Sequence, residues 1–248
     1  MSPSAPIHHF EQVSSTMDLL HGLALEGAET GTAVVAGEQT GGRGSRGRAW
    51  HSPPGGLWLS VLLRPREEGP VELLSLRVGM AVAQTLDDLR LSRPVLLKWP
   101  NDLMLAERKV GGILCEARWH GADLGWVVVG LGLNVRNSVP ADLDEVATTL
   151  DREVQGIFPE SLVEPIVSRI RSLAPAAGSL SSGELAELRR RDWLRGRDLK
   201  RPVAGKAAGI SAEGALLVES PDGSTVQLRT GPVELADSLS GRNFDPCC

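Results

Sequence analysis

The sequence predicts an α+β protein: a main domain over 1–195 that mixes apolar strands with helices, then a small antiparallel β-barrel over 196–248. Three observations carry that prediction. Val71 to Leu91 spaces Leu73, Leu74, Leu76, Val78, Met80, Val82, Leu86 and Leu89 as one long buried helix would. Around it stand apolar runs of strand length, among them Leu57 to Leu63 and Val127 to Val135. Beyond Gly196 the texture changes to short alternating runs at Pro202 to Ala204, Ala207 to Ile210, Leu216 to Glu219 and Thr225 to Arg229, with Pro221-Asp222-Gly223 as a hairpin turn. A unit of about 50 residues rarely holds a sufficient core alone, so it should lean on the main domain.

In chain order, Ile7 to Val13 reads as a first strand, and Ser14-Ser15-Thr16 offers N-cap candidates for a helix through Leu25. A helix N-terminus also suits an anion or polar ligand, so capping and binding are compatible roles for Ser15 and Thr16. Thr32 to Glu38 is a second strand that delivers Gln39 to the mouth of a glycine- and arginine-rich loop, and Leu57 to Leu63 returns as its hairpin partner. After the long helix, Pro94 to Leu97 gives a short strand ending in Lys98-Trp99-Pro100-Asn101-Asp102. A proline between an apolar strand and a carboxylate makes a sharp turn that fixes Lys98, Asn101 and Asp102 relative to one another, although Pro-Asn-Asp also occurs as a plain turn.

Arg108-Lys109 then enter the apolar run Val110 to Cys115, where Gly111 and Gly112 weaken a strand unless something approaches its backbone closely, which suggests a ligand lying across them. The same holds for Gly130 and Gly132 in the run that ends at Asn134, with close helix packing as the competing explanation. Pro159 to Leu173 and Gly183 to Leu194 read as amphipathic helices, joined by a Pro/Ala/Gly/Ser-rich loop, Ala174 to Ser182.

Composition narrows the function. A net charge of -5 over 248 residues argues against a general nucleic-acid binder. No apolar run approaches the roughly 20 residues of a membrane span, and the opening MSPSAPIHHF lacks a signal-peptide pattern. These features predict a cytoplasmic protein with no membrane partner. Cys115 falls in an apolar strand, where a lone cysteine acts as a small hydrophobe, and Cys247 and Cys248 end the chain as a frayed tail. No Cys/His spacing resembles a zinc site.

The densest chemistry lies in Gly41 to Trp50, GGRGSRGRAW. Its glycines remove bulk while Arg43, Arg46 and Arg48 place forked cations among them, the makeup of a mobile anion-binding loop that orders when a negative ligand arrives. Gly42, Gly44 and Gly47 match a dinucleotide fingerprint, but Pro53-Pro54-Gly55-Gly56 follow and cannot open the helix that fingerprint needs. A solvated arginine run in a surface turn is the bland alternative.

GGRGSRGRAW at 41–50, KWPND at 98–102, RKVGGIL at 108–114 and GLGLN at 130–134, in that order, resemble the catalytic domain of biotin protein ligases, and the likeness covers nearly the whole chain. The resemblance implies a mixed sheet flanked by helices, of class II synthetase-like type, followed by an SH3-like barrel. It implies biotin and ATP as substrates with Mg2+, and a biotin carboxyl carrier protein domain of a biotin-dependent carboxylase as acceptor. Biotin would be activated as biotinyl-5'-AMP and passed to a carrier lysine.

Catalytic roles fall by this likeness to Lys109, Asp102 and Arg43, with Asp102 also the Mg2+ candidate; whether it is the general base stays open. Biotin contacts fall to Ser15, Thr16, Gln39, Gly42, Arg43, Lys109, Gly112, Leu114, Gly130 and Gly132. ATP contacts fall to Arg43, Arg46, Arg48, Trp50, Lys98, Asn101 and Asn134, with Trp50 packing on adenine unless it is a core residue. Two departures stand out. Ser45 replaces a common loop arginine, which weakens retention of the adenylate unless Arg46 reaches the same place. Bifunctional relatives carry a DNA-binding domain ahead of the equivalent of Ile7, where this sequence has six residues, so the resemblance implies a stand-alone ligase without DNA as partner, monomeric or homodimeric. The rival readings are a lipoate or octanoate ligase or transferase, which shares the fold but lacks this loop, and a non-enzymatic anion-binding module.

Overall fold

The computed structural model describes residues 5–64, 71–121, 123–173 and 178–236. Cys247, Cys248 and residues 174–177 of the predicted connecting loop lie outside the described residues.

β1 (Ile7–Val13) leads through Ser15 into α1 (Thr16–Leu25) and on to β2 (Ala33–Gln39), which lies parallel to β1. Ser15 is the N-cap: its Oγ accepts the backbone N–H of Asp18. β3 (Leu57–Leu63) pairs antiparallel with β2. α2 (Val71–Asp87) crosses to β4 (Leu96–Lys98), β5 (Asp102–Leu105), β6 (Arg108–His120) and β7 (Asp123–Leu133). Together they form a seven-stranded sheet in the order β1-β2-β3-β7-β6-β5-β4. With one parallel pair among antiparallel ones the sheet is mixed, as expected.

Side-chain alternation divides the core into two layers. Leu57, Leu59 and Val61 of β3, Val129, Leu131 and Leu133 of β7, and Ile113 of β6 join α2 and α3 (Glu160–Ser172) in the larger cluster. The opposite parity, Leu62 and Val128, packs against Met17, Leu20 and Ala24 of α1. On that second face β6 and β7 carry Gly112, Gly130 and Gly132, with Gly112 opposite Gly132 and Leu114 opposite Gly130. Three missing side chains on one face of a closely paired ladder leave a trough beside the start of α1.

Several expected boundaries shift. α2 ends at Asp87, before Leu91, because the chain tightens there into turns in which Leu89 N–H bonds Leu86 O and Arg90 N–H bonds Asp87 O. α4 (Ser182–Arg191) stops three residues before Leu194. Asp192 lies beside Leu97, and Trp193 N–H donates to Leu97 O, so this segment covers backbone of the edge strand β4.

Downstream, β8 (Asp198–Arg201), β9 (Gly205–Ile210), β10 (Leu216–Glu219), β11 (Thr225–Leu228) and β12 (Glu234–Leu235) form a five-stranded antiparallel sheet in the order β11-β10-β9-β8-β12. The run Pro202 to Ala204, read as a strand, is instead the turn after β8, as suits a proline that lacks a ladder donor. β12 had no periodic signal in two residues. Trp99 Nε1 donates to Gly214 O at 2.9 Å, and Gly214 packs on Leu73, so this sheet leans on the turn after β4 and on α2.

Candidate active site

An open cavity occupies the trough between α1, the ends of β6 and β7, and the Gly41 to Trp50 loop. Its closed end is polar. Gln39 Oε1 accepts both the backbone N–H of Thr16 at 2.9 Å and its hydroxyl at 3.1 Å. The Thr16 proton is therefore committed, and Ser60 must donate to Thr16 Oγ1 across 2.8 Å. Gln39 Nε2 donates to Ser52 Oγ at 2.9 Å, which donates to Trp50 O. The chain fixes the orientation of the Gln39 amide and aligns the strand ends that carry it.

At the other end Asp102, Lys109 and Lys98 are 8%, 5% and 5% exposed. Lys109 Nζ lies 2.7 Å from Asp102 Oδ1, and Lys98 Nζ lies 3.8 Å from Oδ2. Two ammonium groups gathered beside one carboxylate in a poorly hydrated place suit an anionic ligand. Sheet register explains the grouping, since Lys98 pairs with Asp102 and Asp102 with Gly112. The turn between β4 and β5 is pinned to β6: Asn101 Nδ2 donates to Ile113 O at 2.6 Å, and Ile113 N–H returns to Asn101 O.

The loop closes over this arrangement as a small hairpin. Arg43 bridges Ala49, Trp50 N–H bonds Gly42 O, and Ser45–Gly47 makes a single 3-10 turn. Arg48 donates to Ser45 Oγ at 3.1 Å. Arg43, expected to await a negative ligand, already has protein partners: Asp18 at 2.5 Å and Glu116 at 3.5 Å. Trp50 is buried with its indole over the glycine trough, where a Cβ on Gly132 would meet its Nε1 at 2.6 Å and one on Gly112 its ring at 3.0 Å. Lys109 Nζ lies 4.9 Å from the ring centroid. The Trp50 Nε1–H and one N–H2 group, Asn134 Nδ2, are buried donors lacking acceptors.

Ser15, Thr16, Gln39, Arg43, Arg48 and Trp50 line the cavity, as do Asn101, Asp102, Lys109, Gly112, Leu114, Gly130 and Gly132. Arg46 and Lys98 line a neighbouring hollow, which shares Ser45, Asn101 and Asp102 and is walled by Thr230 to Val233 of the second sheet. Gly42 sits behind the wall, where a Cβ would meet Ser52 Oγ at 2.6 Å. Asn134 is fully buried and held by Asn137. Ser52, Ser60, Asp18 and Glu116 were missed: none falls within a motif, and each has a partner distant in sequence. Among the described residues no cluster of three metal-ligating side chains occurs.

Residues 9–134 match the model of the biotin/lipoate A/B protein ligase family, and residues 195–235 match that of the biotin protein ligase C-terminal domain. The chain belongs to the biotin/lipoate A/B protein ligase family. Within that family it is similar to the bifunctional ligase/repressor BirA of Bacillus subtilis, 33% identical over 244 residues, covering 88% of this chain and 70% of that protein. It is also similar to the biotin-[acetyl-CoA-carboxylase] ligase of Paracoccus denitrificans, 31% identical over 78% of this chain and 86% of that one. In three dimensions it matches the biotin protein ligase of Aquifex aeolicus solved with biotin and ATP: TM-score 0.77, 28% identity, 92% of this chain and 97% of that chain covered. The family's second sheet and mixed first sheet are both present.

Proposed function

We infer that this protein is an ATP-dependent biotin protein ligase, which activates biotin as biotinyl-5'-AMP and transfers it to a lysine of a biotin carboxyl carrier protein domain. The observation that carries this reading is the polarity of one cavity: the hydrogen-bonded Gln39 and Thr16 line it together with the Lys109–Asp102 pair. Biotin has the matching form, with a ureido ring at one end and a carboxylate at the other.

In the first half-reaction a biotin carboxylate oxygen bonds to the α-phosphorus of ATP, and the bond to the bridging oxygen breaks to release pyrophosphate. Lys109 meets the negative oxygens that this step brings together, and Arg43 and Arg48 face the same volume from the loop. Arg46 and Lys98 serve the outer phosphates from the adjoining hollow. In the second half-reaction a carrier lysine amine attacks the carbonyl carbon and AMP leaves with its bonding electrons. Asp102 is the carboxylate lining the cavity and orients the arriving amine.

The orphaned donor Trp50 Nε1, on a residue that lines the cavity, suits a base with ring-nitrogen acceptors, which supports a nucleotide here. Asp102 is a single carboxylate already held by Lys109, so it fits Mg2+ as one oxygen ligand to an ion otherwise held by ATP phosphates and water. Mg2+ bound in that way would neutralise phosphate charge. The likeness to the Paracoccus ligase supports a carrier domain of a biotin-dependent carboxylase as acceptor. No helix of the described residues is long and apolar enough to cross a membrane.

The polar cradle disfavours lipoate or octanoate, whose aliphatic ends would leave Gln39 and Thr16 facing apolar surface. Calorimetric titration with biotin, alone and with MgATP, followed by assays of pyrophosphate release and carrier labelling, tests the function. Biotin binding with ATP-dependent labelling of one lysine is expected. Binding of octanoate or lipoate in place of biotin overturns it.

A further inference from the structure

Arg43 ties the basic loop ionically to α1 and to the sheet, and its two carboxylate partners are held very differently. Asp18, in the first turn of α1, has half its side chain in water. Glu116, on β6, is only 24% exposed at its side chain and is itself gripped from behind. His21 Nε2 lies 3.1 Å from Glu116 Oε2, and Trp126 Nε1 lies 3.0 Å from His21 Nδ1. An indole nitrogen can only donate. His21 Nδ1 therefore supplies the lone pair, the ring proton sits on Nε2, and it points at Glu116. The direction of each bond is fixed: Trp126 to His21, His21 to Glu116, and the remaining Glu116 oxygen toward Arg43.

The chain is anchored at its far end as well. Trp126 is 4% exposed, with Arg64 5.4 Å from its ring centroid and the His120 ring beside it. Its members come from β7, α1, β6 and the loop, so the assembled sheet, not the loop's own flexible backbone, determines where the Arg43 guanidinium stands. That guanidinium lines the cavity while bonded to the two carboxylates. With five N–H donors in a rigid fork, it has donors left for an anion after serving both.

We propose that Glu116 is a positioning residue for Arg43, oriented by His21 and Trp126, and that this relay holds the basic loop closed over the bound adenylate. The proposal rests on the ligase reading and adds to it a device outside the cavity lining. A loop of glycines and arginines loses much conformational freedom on closing. An ionic tie made before the ligand arrives removes part of that cost from the binding step.

The test is a double-mutant cycle with two readouts. Wild type, Glu116→Gln, Arg43→Met and the double variant are compared for release of preformed biotinyl-5'-AMP and, without ligand, for the rate of trypsin cleavage after Arg46 and Arg48. Glu116→Gln keeps the shape and an acceptor for His21 but removes the charge. It is expected to speed both adenylate release and loop cleavage about fivefold in the wild-type background, and to change neither once Arg43 is methionine. His21→Phe should shift both readouts in the same direction, and the more exposed Asp18→Asn should shift them about twofold or less. Equal effects of Glu116→Gln in both backgrounds, or none in either, overturn the proposal. A wild-type protein that forms no adenylate refutes the ligase reading instead, while the cleavage cycle still decides whether Glu116 acts through Arg43.

Discussion

Asp102 receives the ammonium of Lys109 at 2.7 Å from a position seven residues earlier in the chain, with Lys98 3.8 Å from its other oxygen. The group is nearly shut off from water. It is stable as it stands because each lysine faces the carboxylate, and two ammonium groups gathered in one place suit an incoming anion.

Asp102→Asn removes the carboxylate that faces two buried ammonium groups. Stability should fall by about 3 kcal/mol, read as a lower urea midpoint at unchanged slope. Added biotin with MgATP should restore part of the loss by supplying anions to the same place. An unchanged midpoint would show that the pair contributes little.

Gln39→Ala removes the amide that takes two bonds from Thr16 and gives one to Ser52. Biotin affinity should drop on the order of tenfold, one to two hydrogen bonds' worth. Calorimetry with octanoate as control is the check, and equal losses for both ligands would argue that the cradle shapes the cavity without reading the ligand.

Gly132→Ala places a methyl 2.6 Å from the Trp50 indole, too close for the ring to remain. The ring must leave the trough, at a stability cost of about 1–3 kcal/mol. Tryptophan emission should shift to the red, and the shift should vanish in a Trp50→Phe background. Gly112→Ala, with 3.0 Å available, should do less.

Ser45→Arg adds a cation to a loop where Arg48 reaches Ser45 Oγ. Ser45 faces both hollows of the site. Adenylate release should slow several-fold, on the order of one charge-assisted hydrogen bond. An unchanged dissociation rate would mean that Arg46 already serves that place.

The hydrogen bond from His21, together with Arg43, holds the Glu116 carboxyl below its ordinary 4.5. A depressed carboxyl pKa contributes stability above the unfolded value, and that contribution is lost as pH falls through the folded one. Below about pH 4.5 the stability curves of wild type and Glu116→Gln should converge, with wild type ahead at neutral pH. Parallel curves across the acid limb would show that the carboxylate gains nothing from folding.

Local periodicity determined most elements, since helix and strand spacing depend on residues within one or two turns of each other. It placed α1 and its Ser15 cap, β1 to β3, α2 and the motif loops to within a few residues. Boundaries failed where a tertiary partner competed with propensity. α4 ends early because residues 192 and 193 satisfy the open edge of β4, and β8 precedes Pro202 because a ladder needs the donor that proline lacks. The positions of glycine in β6 and β7 were legible as places of close approach. The Trp50 ring that approaches Gly112 and Gly132 was not, while Gly130 meets Met17 of α1, the close helix packing held open as the competing explanation.

The sequence by itself determined the fold class, the order of the motifs and the chemical types gathered at the site, because those depend on residue identity and short-range pattern. Only the tertiary structure decided that Gln39 is oriented by Thr16 and Ser52, that Arg43 is paired with Asp18 and Glu116, and that Glu116 is oriented through His21 and Trp126. Glu116 stands 73 positions after Arg43 and 95 after His21, separations across which no periodicity carries information. Their meeting is set by the register of β6 against β7 and by the face of the sheet on which α1 packs.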